Sequence, residues 1–263
     1  VKLLREVRQV KLDAAALDAS YVARYQAVLE HFDAYMNPSE TWFSRTFPDL
    51  AGQIVAGYDF VVNPANGDGD GLDANPDDPV NVIGWAFHGT HVAGTIAAVT
   101  NNSIGVAGVA PVSKVMPVRA LYNSENGSPL WDIQQAIAFA ARLPNASGTL
   151  PARRSDVINL SLGGQGIPCD SVTQGVLDQA RAGGSWVVVA AGNESAETPH
   201  PVGMPGNCAN VITVGAVDAQ RNKVPYSNAG PEVMVAAPGG DMTKQTTGNP
   251  WNDGVLSTLA TIE

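Results

Sequence analysis

The chain has 263 residues, 44% of them apolar and 15% charged, so it can build a sizeable core and is too hydrophobic for intrinsic disorder. Fifteen Lys and Arg against 25 Asp and Glu leave a formal net charge of −10, which argues against nucleic acid or an anionic membrane surface as partner. No apolar run reaches the roughly 18 residues of a membrane span, and residues 1–10 carry charges throughout, with no signal-peptide core.

In chain order, residues 1–36 read as helical, with Leu3, Leu4, Val7, Val10, Val22, Tyr25, Leu29 and Phe32 among apolar positions at three- and four-residue spacing. From about residue 48 the texture changes to short apolar runs broken by Gly, Pro, Asn and Asp. Residues 66–78 are too rich in Asp, Gly and Asn for a helix or a strand interior and must form a loop. A small-residue helix is expected from His88 to about Val99. Strand and helix candidates then alternate: Lys114–Ala120 (strand), Pro129–Leu143 (helix), Asp156–Leu162 (strand), Ser171–Ala182 (helix), then strands Ser185–Ala191, Asn210–Ala216 and Val233–Ala237. The strands are near-continuous Val, Ile, Ala and Leu, as expected where helices cover both faces of a parallel sheet. The expectation is an α/β domain over residues 46–263 with a mostly parallel central sheet, preceded by a segment of different character over residues 1–45.

Three blocks carry the chemistry. His88-Gly89-Thr90-His91 places a histidine at a helix start, where the positive helix end favours the neutral imidazole of a general base. Val187-Val188-Val189-Ala190-Ala191-Gly192-Asn193 delivers an Asn to the carboxyl end of a strand, where parallel sheets bind ligands and an amide can meet a developing oxyanion. Val157-Ile158-Asn159-Leu160-Ser161-Leu162-Gly163-Gly164 ends a buried strand in glycines, leaving an edge on which an extended peptide could add. Each block alone is also compatible with an ordinary structural role. Cys169 and Cys208 are, by number alone, either two buried thiols or a disulfide closing a loop of about 38 residues.

Together these blocks, in this order and followed by Val235-Ala236-Ala237-Pro238-Gly239, resemble the subtilisin-like serine proteases, in particular the secreted bacterial branch. The resemblance covers roughly residues 47–259. It implies that His88 is the general base and Asn193 the side-chain oxyanion donor. Ser161, Leu162 and Gly163 would form one wall of the substrate cleft, with Ala190, Ala191 and Gly192 along the pocket beside it. It also implies a Cys169–Cys208 bridge, secretion, and extended peptides or proteins as substrates. Such a protease needs a Ser nucleophile and an orienting acid besides the histidine. The family's Gly-Thr-Ser-Met block is absent from these residues, and Ser257 lacks its flanks. The nucleophile is therefore expected on a C-terminal segment not included here, with the fold incomplete at that end and the chain inactive alone. Counting back from Phe47-Pro48-Asp49-Leu50 puts Glu40 at the position of the orienting Asp, one methylene longer, with Trp42 where Gly is expected; either Glu40 substitutes for that Asp or the residues before about 46 are unrelated to the catalytic domain.

The resemblance further implies structural calcium, held by Asp49 and Asn102 side chains and the carbonyls of Thr100, Ile104 and Val106; hard oxygen donors from a loop suit that ion. Asp68, Asp70, Asp73, Asp77 and Asp78 crowd five carboxylates into one loop, a second calcium candidate or a solvated acidic loop. The resulting expectation is a calcium-stabilised serine endopeptidase domain. A non-catalytic relative that binds extended peptides is the alternative, and a metal enzyme built on His88 and His91 is a third reading.

Overall fold

The computed structural model describes residues 48–64, 69–77, 88–122, 127–195, 200–241, 254–255 and 257–258. The helix expected over residues 1–36 lies outside the described residues, as do Glu40 and Asp68. The described part begins with a single 3-10 turn, Pro48–Leu50, and the short strand β1, Tyr58–Asp59. Then come helix α1 (His88–Ala97), strand β2 (Val118–Arg119), helix α2 (Leu130–Ala140), strand β3 (Val157–Leu160) and helix α3 (Ser171–Ala182). Strands β4 (Trp186–Ala190), β5 (Ile212–Val217) and β6 (Val233–Pro238) complete the set. Every expected element past residue 88 is present. Except for β6, the regular strands are shorter than the apolar runs that announced them. Lys114–Ala120 shrinks most, because within it only Val118 and Arg119 pair with β1 as a ladder, while Val115 makes an isolated bridge to Ile54.

All ladders are parallel, in two groups: β1–β2, and a four-stranded sheet in the order β3–β4–β5–β6. In β3 the side chains alternate between exposed and buried. Its buried face, Ile158 and Leu160, meets Val187 and Val189 of β4 and Leu177 and Ala180 of α3 in one apolar cluster. Leu177 and Ala180 are fully buried, the small Ala letting α3 approach the strands closely. Asp170 caps α3, accepting from the Val172 and Thr173 backbone N–H at 2.8 and 3.0 Å and from the Thr173 hydroxyl. Cys169 and Cys208 are bonded as a disulfide, with Cα atoms 5.2 Å apart, which settles the two readings of the cysteines and ties the start of α3 to the segment entering β5.

The β1–β2 pair is built differently. Asp59 and Arg119 face each other across the ladder and form an ion pair at 2.8 Å, both side chains almost wholly buried. The other Asp59 oxygen accepts the Val61 backbone N–H. Tyr58, Phe60 and Phe139 form an aromatic triangle with centroids 5.0–5.6 Å apart, joining this pair to α2. Gly57 is obligatory, since a Cβ there would lie 1.8 Å from the Pro117 carbonyl oxygen.

Candidate active site

The carboxyl ends of β3 to β6 surround a cavity of about 350 Å³. Its wall includes Ser161 beyond β3, Ala190, Ala191, Gly192 and Asn193 at the end of β4, and Ala237 to Gly239 at the end of β6. The expected pocket residues are thus brought together with Asn193. Leu162 and Gly163 are not in this wall: Leu162 packs against the apolar core cluster, and Gly163 follows it into the exposed turn. The Ser161 hydroxyl accepts a hydrogen bond from the Asn159 amide at 2.9 Å, so the cleft side of β3 presents a fixed polar edge.

Past β4 the backbone leaves the sheet through Gly192, whose φ of +104° is open to glycine and strained for any other residue. Asn193 follows, exposed at the cavity rim. Glu194 then turns its carboxylate back, accepting from the Asn193 backbone N–H at 3.0 Å and from the side-chain amide of Asn228. Asn228 is 2% exposed and gives no direct sequence signal, lying in the turn-forming run Ser227-Asn228-Ala229-Gly230. Its burial within a run of turn residues is what sequence reasoning missed.

His88 is the first residue of α1, half-buried, as expected of a base at a helix start. The helix is held from the far end of the chain. Thr258 donates its hydroxyl to the Thr90 carbonyl at 2.7 Å, and Ser257 donates its own to the His91 carbonyl at 2.5 Å. Gly94 makes that contact possible, since a Cβ there would lie 2.1 Å from the Thr258 hydroxyl. Ser257 is thus engaged with the helix backbone.

Asp49 is buried beneath the 101–106 loop. One carboxylate oxygen accepts from the Asn102 amide at 2.8 Å and the other from the Val106 N–H at 2.7 Å. Asn101, Ser103 and Gly105 all have positive φ, so the loop turns at every second residue and wraps the carboxylate. A Cβ on Gly105 would lie 1.7 Å from Asp49 Oδ2. Asp49, Asn102 and Val106 are therefore in contact, with Thr100 and Ile104 on the same loop, but both Asp49 oxygens are taken by N–H groups and the Asn102 oxygen accepts the Ile104 N–H. The residue types suit calcium by their oxygens.

The acidic loop behaves otherwise. Asp73 exchanges backbone hydrogen bonds with Asp59, and its carboxylate accepts from the Asn75 N–H at 2.6 Å. Burial, then the neighbouring Asp70, raises its carboxyl above the ordinary range, against the lowering pull of the Asn75 N–H and Arg119. Among the described residues no three His, Cys, Asp or Glu side chains converge on a point that could hold a metal ion, neither around Asp70, Asp73 and Asp77 nor around His88 and His91.

A profile of the subtilase family matches residues 35–261, a span that includes Glu40, Asp49, His88 and Asn193. A second profile, a protein of unknown function (DUF3417), matches residues 1–59. The chain is 41% identical over 204 residues to an extracellular protease of Xanthomonas campestris, covering 73% of this chain and 34% of that protein. It is 41% identical over 211 residues to a thermophilic serine proteinase of a Bacillus species, covering 80% and 45%. To thermitase of Thermoactinomyces vulgaris it is 39% identical over 204 residues, covering 76% and 61%. A solved protease structure from Pseudoalteromonas arctica superposes with a TM-score of 0.68 at 40% identity, covering 74% of this chain and 60% of that one. The chain spans between about a third and three fifths of the length of these proteins.

Proposed function

The chain belongs to the subtilase family, and from that premise we propose that it contributes the base and the oxyanion-stabilising arm of a secreted serine endopeptidase site. The observation that carries this reading is the cavity at the strand ends, which gathers Ser161, Ala190, Gly192 and Asn193 around one space. An extended peptide adds along the edge beyond β3, its scissile carbonyl carbon facing a Ser hydroxyl. His88 takes the hydroxyl proton as the oxygen attacks, and Asn193 donates to the oxyanion that forms. The C–N bond then breaks as His88 passes the proton to the leaving amine, and water repeats the sequence to release the acid. Glu40, at the orienting position, holds the imidazole.

The nucleophile is the missing part. No Gly-Thr-Ser-Met block occurs in the 263 residues, and Ser257 is spent on the His91 carbonyl. In this reading the 263 residues form a cleft that binds extended peptides without turning them over. Calcium, where bound, is held by Asp49, Asn102 and the carbonyls of Thr100, Ile104 and Val106. It would fix the loop that follows α1.

The test is calorimetric titration of the chain with a short acetylated peptide ending in a carboxylate, which stands in for the oxyanion, and with its C-terminal amide. The carboxylate form should bind more tightly, Asn193→Ala should remove that preference, and neither peptide should be cleaved. Equal binding of both forms would remove Asn193 from the oxyanion role. Cleavage that survives His88→Ala would overturn the assignment of the base.

A further inference from the structure

We propose that Asn228 is a positioning residue, a buried clasp that sets the direction of Asn193; the functional meaning of this clasp rests on the oxyanion reading above. The Asn193 side chain is exposed at the rim, so the backbone that carries it decides where it points. That backbone runs from Gly192 to Ser195, and Asn228 bonds to three of its four residues, on both sides of Asn193. The Asn228 N–H donates to the Gly192 carbonyl at 3.0 Å. Its side-chain Oδ1 accepts from the Glu194 N–H at 3.0 Å and from the Ser195 hydroxyl at 3.1 Å. Its Nδ2 donates to the Glu194 carboxylate and to the Pro201 carbonyl.

Two acceptor contacts on the oxygen and two donor contacts on the nitrogen fix the amide in one orientation; a flipped amide would set donor against donor. The Glu194 carboxylate then accepts the Asn193 N–H, so the clasp reaches the residue on the rim through one intermediary. Packing is as tight as the bonding. A Cβ on Gly192 would lie 2.4 Å from Asn228 Nδ2 and 2.6 Å from the Glu194 carboxylate. Closure on the far side comes from Ser195, whose hydroxyl accepts the His200 N–H at 2.8 Å. At 2% exposure the amide is shielded from water, so a lost contact is not replaced by solvent.

The experiment is amide hydrogen exchange on the full chain, expressed as protection factors and read by peptide or by residue. Asn228→Ala should lower protection at Asn193, Glu194 and Ser195 about tenfold while leaving Val187–Ala190 of β4 within about twofold, since a local clasp opens the loop and not the sheet. Asn228→Asp keeps the acceptor oxygen but sets a carboxylate against Glu194, a like-charge pair that raises one carboxyl. Its loop should therefore be loose at neutral pH and regain protection as the pH falls and the pair comes to share a proton. A residue that merely fills space would show no such pH dependence. The proposal is overturned if Asn228→Ala leaves the 193–195 amides within about twofold of the parent. It is equally overturned if Asn228→Asp is as protected at neutral pH as in acid, a result that decides the matter even where the Ala variant fails to fold. Because protection reports conformation alone, failure here leaves the peptide-carboxylate preference of Asn193 standing, and loss of that preference leaves the clasp standing.

Discussion

Strands β1 and β2 are joined across a buried Asp59–Arg119 ion pair, whereas β3 and β4 are held against α3 by aliphatic packing, with a disulfide tying the start of α3 to the segment entering β5. Both parts are parallel, yet they depend on different physics. In the aliphatic cluster of β3, β4 and α3 each buried residue contributes area removed from water, and losing one contact leaves the rest intact. In the smaller pair two charges are tolerated only in each other's company. Failure should therefore be abrupt in the first pair and graded in the second sheet.

The largest expected effect tests that abruptness. Arg119→Ala leaves Asp59 buried without its cation and should cost about 3–5 kcal/mol, read as a drop in the urea midpoint. Replacing both partners with apolar residues of similar size should recover most of the loss. In the larger sheet, replacing Cys169 and Cys208 with Ser should cost about 3–4 kcal/mol in the loop-closure view, for a sequence separation of 39 residues. If Arg119→Ala costs less than about 1 kcal/mol, or if replacing both partners recovers nothing, the buried pair is not what holds β1 to β2 and the contrast loses its basis.

Smaller effects sharpen the picture around the site. Thr258→Val removes the hydroxyl bonded to the Thr90 carbonyl and should cost about 1 kcal/mol, with faster exchange confined to α1. The smallest concerns Asp170, whose carboxyl is held below the usual range, first by the Thr173 hydroxyl and then by backbone N–H groups. A lowered value in the folded state means that the cap stabilises above the ordinary carboxylate range of about 3.9 and fades as the pH falls through the folded value. Thermal unfolding of the parent and of Asp170→Asn should therefore differ more at about pH 6 than at about pH 3, the gap narrowing with acid.

The same contrast explains what was legible in the sequence. Runs such as Val187-Val188-Val189 announce strands because burial on a parallel sheet leaves a compositional trace. Asp59 and Arg119 leave none, since each reads as surface until the partner is known. That is why β1 went unexpected and why the run before Arg119 promised a longer ladder than it makes. His88 and Asn193 stand in motifs visible in the sequence, and the grouping of Asp49 with Asn102 and Val106 was implied by the family resemblance. Asn228 was not legible: it is 34 residues from Glu194, and only the fold closes that distance. Leu162, which the resemblance placed in the cleft wall, lies half-buried with its side chain packed on the apolar cluster.

The measurement that bears most directly on the account is mass spectrometry of the purified chain after treatment with a fluorophosphonate, which labels activated serines, alongside a peptide anilide assay. The proposed site, with His88 as base and Asn193 as oxyanion donor but no nucleophilic Ser among these residues, should give no adduct and no turnover. An adduct on Ser257, accompanied by hydrolysis that disappears in His88→Ala, would contradict it and show that the chain completes its own triad.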